Sequence, residues 1–272
     1  MTGREFEEKT FQPSGLSDEP LLEVRNLALP GSYEDISFSL RGGEILGVTG
    51  LLDSGRTELA LSLFGIRPAQ SGEIRIHGKP TVIKSPRAAI ENGIGFVPED
   101  RLSEGLFLSQ SIADNIVISE IDDLTKKGLV DAQKTNEEID CWVKELAIAT
   151  PNPANAASTL SGGNQQKVCI ARALAMNPKL LFVSEPTRGI DIGAKKLVLE
   201  TLVRLNREKG MTVVMVSSEL MELRSICDRI AIVAEGKVVD VLETNASDAD
   251  FGLAMSGIKP EHVKQKGGEA HV

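Results

Sequence analysis

The chain holds 272 residues, with 30 Lys+Arg against 39 Asp+Glu and a formal net charge of −9. That length accommodates one generous domain and falls short of two full ones. Apolar residues at 41% and charged residues at 25% give an ordinary folded core, while the acidic balance argues against nonspecific nucleic-acid binding, which depends on neutralising phosphates.

Residues 1 to 20 are polar and carry Pro13, Gly15 and Pro20, which reads as a linker or arm. The main folded unit is expected over 21–245. Within it, 22–24, 36–40 and 73–77 alternate apolar with polar residues, the pattern of half-exposed strands. The runs 45–48, 180–183, 212–216 and 230–234 are almost wholly apolar, as in strands buried on both faces of a parallel sheet. A helical pattern follows each of the first three, giving βα units. From about 105 to 165, Ile112, Ile116, Val117, Ile139, Trp142, Val143 and Leu146 recur at helical spacing and predict an inserted helical subdomain. Residues 246–272 are expected to form a C-terminal extension ending in a frayed tail from Gly267. Cys141, Cys169 and Cys227 are widely spaced, without a Cys-x-x-Cys pair and beside only three histidines. They read as reduced, buried hydrophobes of a cytosolic protein, not as disulfide or zinc partners. No run approaches the roughly 18 consecutive apolar residues of a membrane span. Residues 1–9 lack the apolar core of a signal peptide, so a membrane role is expected only through a partner.

Three motifs carry chemistry. After a predicted strand, Gly50-Leu51-Leu52-Asp53-Ser54-Gly55-Arg56-Thr57 has P-loop spacing. Its glycines let backbone N–H groups curl round phosphate oxygens, and the helix predicted over 57–64 aims its positive end at the same anion. Thr57 stands where a hydroxyl ligates Mg²⁺. Next, Leu160-Ser161-Gly162-Gly163-Asn164-Gln165-Gln166-Lys167 opens another helix. Ser161 is a natural N-cap, and the two glycines leave N–H groups uncovered for a second anion. Last, the strand 180–183 runs into Ser184-Glu185-Pro186-Thr187-Arg188-Gly189-Ile190-Asp191. A carboxylate at a strand end beside a P-loop can polarise water for attack on a γ-phosphate, which makes Glu185 the candidate base. Taken singly, glycine-rich turns, capped helices and strand-end glutamates are common structural features.

Together and in this order, the P-loop, the signature string with Leu160, Ser161, Gly162, Gly163 and Gln165, the strand with Glu185 and the D-loop-like Gly189-Ile190-Asp191 resemble the ATP-binding-cassette (ABC) ATPases. More narrowly, Gly55-Arg56-Thr57-Glu58-Leu59, Val97-Pro98-Glu99-Asp100-Arg101 and Glu185 to Asp191 resemble the second, C-terminal cassette of fused ribose, galactose and xylose importer ATPases. The resemblance implies an α/β P-loop NTPase fold with a mixed, mainly parallel core sheet, a small antiparallel β subdomain and the helical insert. It implies ATP and Mg²⁺ as cofactors, with the nucleotide on Gly50, Asp53, Ser54, Gly55, Arg56, Thr57 and Glu58. It also implies a first nucleotide-binding cassette, fused or separate, and membrane permease subunits as partners. A periplasmic or extracellular sugar-binding protein would act indirectly, with the chain held peripherally at the cytoplasmic face of the cell membrane. The stretch 99–115, with Arg101, Leu106 and Phe107, would face the membrane subunit.

Four positions depart from the family pattern: Arg56 for the P-loop lysine, Ser184 for the strand-end aspartate, Glu99 for the Q-loop glutamine and Ser218 for the switch histidine. The adenine-stacking aromatic is also missing from 26–29, leaving Tyr33 as the nearby substitute. The chain's own site is therefore expected to be weak in Mg–ATP chemistry, while its signature completes a partner's site. The alternative is an ATP-binding regulatory module that does not hydrolyse.

Overall fold

A computed structural model describes Leu16 and residues 19–260; most of the expected arm, and the tail from 261 onward, lie outside the described residues. The chain opens with β1 (Pro20–Leu29), β2 (Tyr33–Arg41), β3 (Ile45–Thr49), α1 (Arg56–Leu63), β4 (Ser71–Ile76), β5 (Lys79–Thr81), α2 (Pro86–Glu91) and β6 (Ile94–Val97). Then come α3 (Ile112–Val117), β7 (Thr125–Lys126), β8 (Leu129–Val130), α4 (Ala132–Glu145) and α5 (Gly162–Ala175). It closes with β9 (Leu180–Ser184), α6 (Ile192–Lys209), β10 (Thr212–Val216), α7 (Leu220–Ile226), β11 (Arg229–Ala234), β12 (Lys237–Glu243) and α8 (Asp248–Met255).

The larger sheet has the order β12-β11-β3-β10-β9-β6. It is parallel except for β12, which turns back antiparallel on β11. Every residue of β3, β9 and β10 is buried, because helices or the second sheet cover both faces of a parallel sheet. Side chains still alternate along each strand. Leu46, Val48, Phe182 and Val214 face the core shared with α1 and the small antiparallel sheet β2-β1-β4-β5. Ile45, Leu181, Val183, Val213 and Met215 face the core shared with α5 and α6. The register pairs Val48 with Val216, Val216 with Ser184, and Val183 with Val97. The carboxyl ends of four strands thus lie side by side, where open α/β sheets place their ligands.

Three features differ from the sequence expectation. A short hairpin, β7–β8, interrupts the helical insert. Glu235 and Gly236, at φ 49° and 73°, form the left-handed pair of a tight hairpin turn and send β12 back along the sheet edge. The boundary expected at 245 divides what the structure packs together. Phe251 and Ala254 of α8 are buried in the same core as the central strands, and Arg224 sits 4.6 Å over the Phe251 ring.

Candidate nucleotide-binding site

The loop leaving β3 is shaped by backbone crowding. A Cβ on Gly50 would lie 2.1 Å from the Val233 carbonyl oxygen, and one on Gly55, at φ +94°, would lie 2.6 Å from that of Ser32. Only glycine fits either place. The Ser54 N–H donates to the Leu51 carbonyl at 3.2 Å, and α1 starts at once, with the Leu59 N–H on the Gly55 carbonyl at 2.9 Å. Leu51, Leu52 and Asp53 stand exposed at the tip; Glu58 and Thr57 occupy the first turn of α1. The Ser54 Oγ and Thr49 Oγ1 are buried without a hydrogen-bond partner among the described residues. A glycine-formed concavity at a helix N-terminus, with hydroxyls awaiting an acceptor or donor, fits a nucleotide's phosphates.

Arg56 does not simply face that concavity. Its Nη2 donates to Glu185 Oε1 at 3.1 Å, and the two side chains are only 11% and 10% exposed. Glu185 Oε1 also accepts the Ser218 N–H at 2.8 Å, and the Ser218 hydroxyl lies 3.3 Å from Oε2. Glu185 holds a left-handed backbone, φ 44°, with its N–H on the Val216 carbonyl; such conformations cost on the order of 1–3 kcal/mol. The candidate base is therefore neutralised by the P-loop cation and held by the residue at the switch position. Sequence spacing brings the three to one site but gives no sign of this mutual bonding.

Beside them lies a cleft of about 240 Å³ lined by Thr57, Leu61, Phe96, Glu99, Asp100, Glu104 and Ser184. Glu99 is ion-paired with Arg188. Arg101 reaches across to the Arg188 and Gly189 carbonyls at 2.7 and 3.1 Å, so the 99–101 and 188–189 segments are tied crosswise. Asp100 accepts from the Leu102 and Ser103 N–H groups, and these bonds, with the Ser103 hydroxyl foremost, hold its carboxyl below the usual range. Mg²⁺ needs oxygen ligands, usually including a carboxylate. The strand-end donor here is a neutral hydroxyl, Glu99 is ion-paired with Arg188, and Asp100 accepts backbone N–H bonds. The residues fit nucleotide phosphate; they do not fit Mg²⁺ on Thr57 and a strand-end carboxylate.

The signature segment corrects several expectations. Ser161 is the N-cap residue of α5, yet its side chain makes no capping bond to the backbone. Its Oγ instead accepts from Asn164 Nδ2 at 3.0 Å, while Asn164 Oδ1 takes the Ala149 N–H. Leu160 packs half-buried on the core. Gly163 is needed for packing, since a Cβ there would lie 2.5 Å from that of Ala194 on α6. Gln165 is buried, its Nε2 directed at the Ala157 carbonyl at 3.4 Å, and presents nothing to a surface ligand. Asp191 caps α6, accepting the Ala194 N–H at 3.0 Å. Tyr33 is 3% exposed and lies in the core, so it offers no stacking platform for adenine.

One network had no motif to announce it. Thr187 donates to Glu222 Oε2 at 2.6 Å, and Lys195 bridges Glu219 and Glu222 at 2.5 and 3.1 Å. It ties the segment after Glu185 to α6 and α7. Burial pushes the Glu222 carboxyl up, against the Thr187 and Lys195 bonds.

The ABC transporter family model matches residues 33–188. The ribose import ATP-binding protein RbsA of Bacillus subtilis (strain 168) is 44% identical over 238 residues, which cover 88% of this chain and 48% of that protein. Its counterpart in Lacticaseibacillus paracasei is 41% identical over 267 residues, or 97% and 53% of the two chains. The chain thus spans about half the length of the curated relatives it matches. Among solved structures, cbiO1 from Clostridium perfringens, part of the ABC transporter complex cbiONQ, has a TM-score of 0.72 at 21% identity, covering 92% of this chain and 94% of that one. With its motifs in family order, its fold matched and its family model spanning residues 33–188, the chain belongs to the ABC transporter family.

Proposed function

We propose that the chain is the nucleotide-binding domain of a bacterial ABC-type carbohydrate importer, equivalent to the C-terminal cassette of a fused ATPase. Its own P-loop site is degenerate, and its signature completes the site of a partner cassette. The identity to ribose import ATP-binding proteins supports the sugar class. The Arg56–Glu185 ion pair supports the degenerate site: the group that should attract water's proton is neutralised by the group that should hold phosphate. ATP supplies the γ-phosphoryl group; within this chain the glycine cradle binds and orients phosphate, while Ser218 and Arg56 immobilise Glu185.

The signature end is different. Ser161 is exposed and the first N–H groups of α5 carry no side-chain cap, which suits an anion presented from outside. The first cassette is the partner that would bring it. Of the residues expected to face the permease, Leu106 is buried in the core and drops out; Phe107 and its neighbour Leu102, each about half exposed, are the apolar contacts offered to permease subunits, and the sugar-binding protein acts indirectly. The chain then works peripherally at the cytoplasmic face, and no helix among the described residues is long and apolar enough to cross the membrane. For the lone chain, the same ion pair favours a second reading, an ATP-binding module without turnover.

The test is sugar-stimulated ATPase activity in the importer reconstituted with its first cassette and permease. Ser161→Arg should abolish activity and Arg56→Lys should lower it slightly; the reverse ranking overturns the proposal. Sustained MgATP turnover by the lone chain overturns both readings.

A further inference from the structure

We propose that the P-loop site takes nucleotide phosphates directly, without a divalent cation, and that Ser184 is the residue responsible. This rests on reading residues 50–57 as a nucleotide cradle. A carboxylate at the end of β9 could only accept hydrogen bonds and would repel a phosphate, so it would require a cation between the two. A hydroxyl can donate straight to a phosphate oxygen.

Ser184 is 2% exposed and its Oγ has no hydrogen-bond partner among the described residues. It lines the same cleft as Thr57 in the first turn of α1. Buried hydroxyls normally find partners, so a bare one in a cleft that also takes in the first turn of α1 marks a place for a ligand atom. Ser54 Oγ and Thr49 Oγ1, also buried and unpartnered, extend the set of hydroxyls along the loop.

The charges agree. Glu185 is matched by Arg56 and Glu99 by Arg188. Two of the site's carboxylates are therefore compensated by guanidinium groups, while Asp100 and Glu104 also line the cleft; a second Arg56 nitrogen, Nη1, is buried and still without a partner. A planar fork can serve a carboxylate with one nitrogen and another anion with the next, which a compact ammonium cannot do as rigidly. The site thus offers a phosphate hydrogen-bond donors, Arg56 Nη1 and the Ser184 hydroxyl, in place of a metal ion.

The experiment is calorimetric titration of the full chain with ATP and ADP, in excess Mg²⁺ and again in EDTA. The two conditions should give dissociation constants within about threefold of each other, a difference below 1 kcal/mol. Ser184→Ala should weaken binding roughly ten- to a hundredfold in both, the worth of one hydrogen bond to a charged group. Ser184→Asp should weaken binding in EDTA by roughly tenfold or more and recover it on adding Mg²⁺. Wild-type binding that tightens tenfold or more with Mg²⁺, or a Ser184→Ala chain unchanged in EDTA, overturns the proposal and leaves the cradle intact. A folded chain that binds neither nucleotide under either condition overturns the cradle reading itself, and the proposal with it.

Discussion

The Arg56–Glu185 pair can be tested by a double-mutant cycle using Arg56→Met, Glu185→Gln and the combination. At 3.1 Å the gross attraction is about 5 kcal/mol at an effective dielectric of 20, but desolvation of both groups removes much of it. Removing one partner from a buried pair typically costs about 3–5 kcal/mol. Glu185 keeps the Ser218 N–H bond at 2.8 Å, so Arg56→Met is expected at the lower end, about 3 kcal/mol. Glu185→Gln retains an acceptor for the guanidinium and should cost about 1–2 kcal/mol. The double variant should fall short of the sum by about 1.5 kcal/mol, the coupling expected for groups in direct contact. Urea unfolding followed by far-UV circular dichroism measures all three. Fluorescence of Trp142, the single tryptophan, reports the helical insert separately. Single variants that cost under about 0.5 kcal/mol and add without coupling would refute the pairing, and Arg56 would then be free to serve phosphate as a lysine does.

Two further outcomes follow from packing and titration. Gly163→Ala should force α5 and α6 apart, because the new Cβ falls 2.5 Å from Ala194. Overpacking of that kind costs about 1–3 kcal/mol, each kcal/mol lowering Tm by about 2–4 °C; recovery in the Gly163→Ala/Ala194→Gly double variant locates the clash, and an unchanged Tm disproves it. In the helical insert, burial foremost, then Glu138 and Asp123, push the Glu120 carboxyl from 4.5 up to about 7, against Lys134. The folded form keeps its proton where the unfolded chain releases it. The resulting stabilisation is full below about pH 4.5 and is lost as pH rises through about 7. Glu120→Gln should therefore raise Tm at pH 8 more than at pH 4.5, and equal shifts at the two would contradict the assignment.

The central strands were legible because parallel strands covered on both faces need continuous apolar runs. The same continuity hides which core each residue enters: Ile45 and Leu46 look alike in sequence and face opposite ways. β12 gave little signal because none of its residues is fully buried, although Glu235-Gly236 is a turn signal that could have located it. α8 is eight residues anchored by Phe251 and Ala254, too short for a clear period. The motifs around the site were legible for a different reason: each is a local string whose spacing fixes a loop and a helix start. What joins them is long-range. Arg56 to Glu185 spans 129 positions and Arg188 to Glu99 spans 89, and no spacing rule reaches that far.

Those joins change what the four departures mean. Read singly, Arg56, Ser184, Glu99 and Ser218 are separate losses from a working site. In the structure Arg56 and Ser218 hold one carboxylate between them, and Arg188 holds Glu99. Restoring one residue then removes a partner from another: a lysine at 56 has no fork to span Glu185 and a phosphate together, and a glutamine at 99 leaves Arg188 without its counter-charge. An aspartate at 184 would bury a new charge in a site whose cations are already matched. The departures therefore read as one compensated arrangement, in which the groups that would act on water and metal have been turned toward one another.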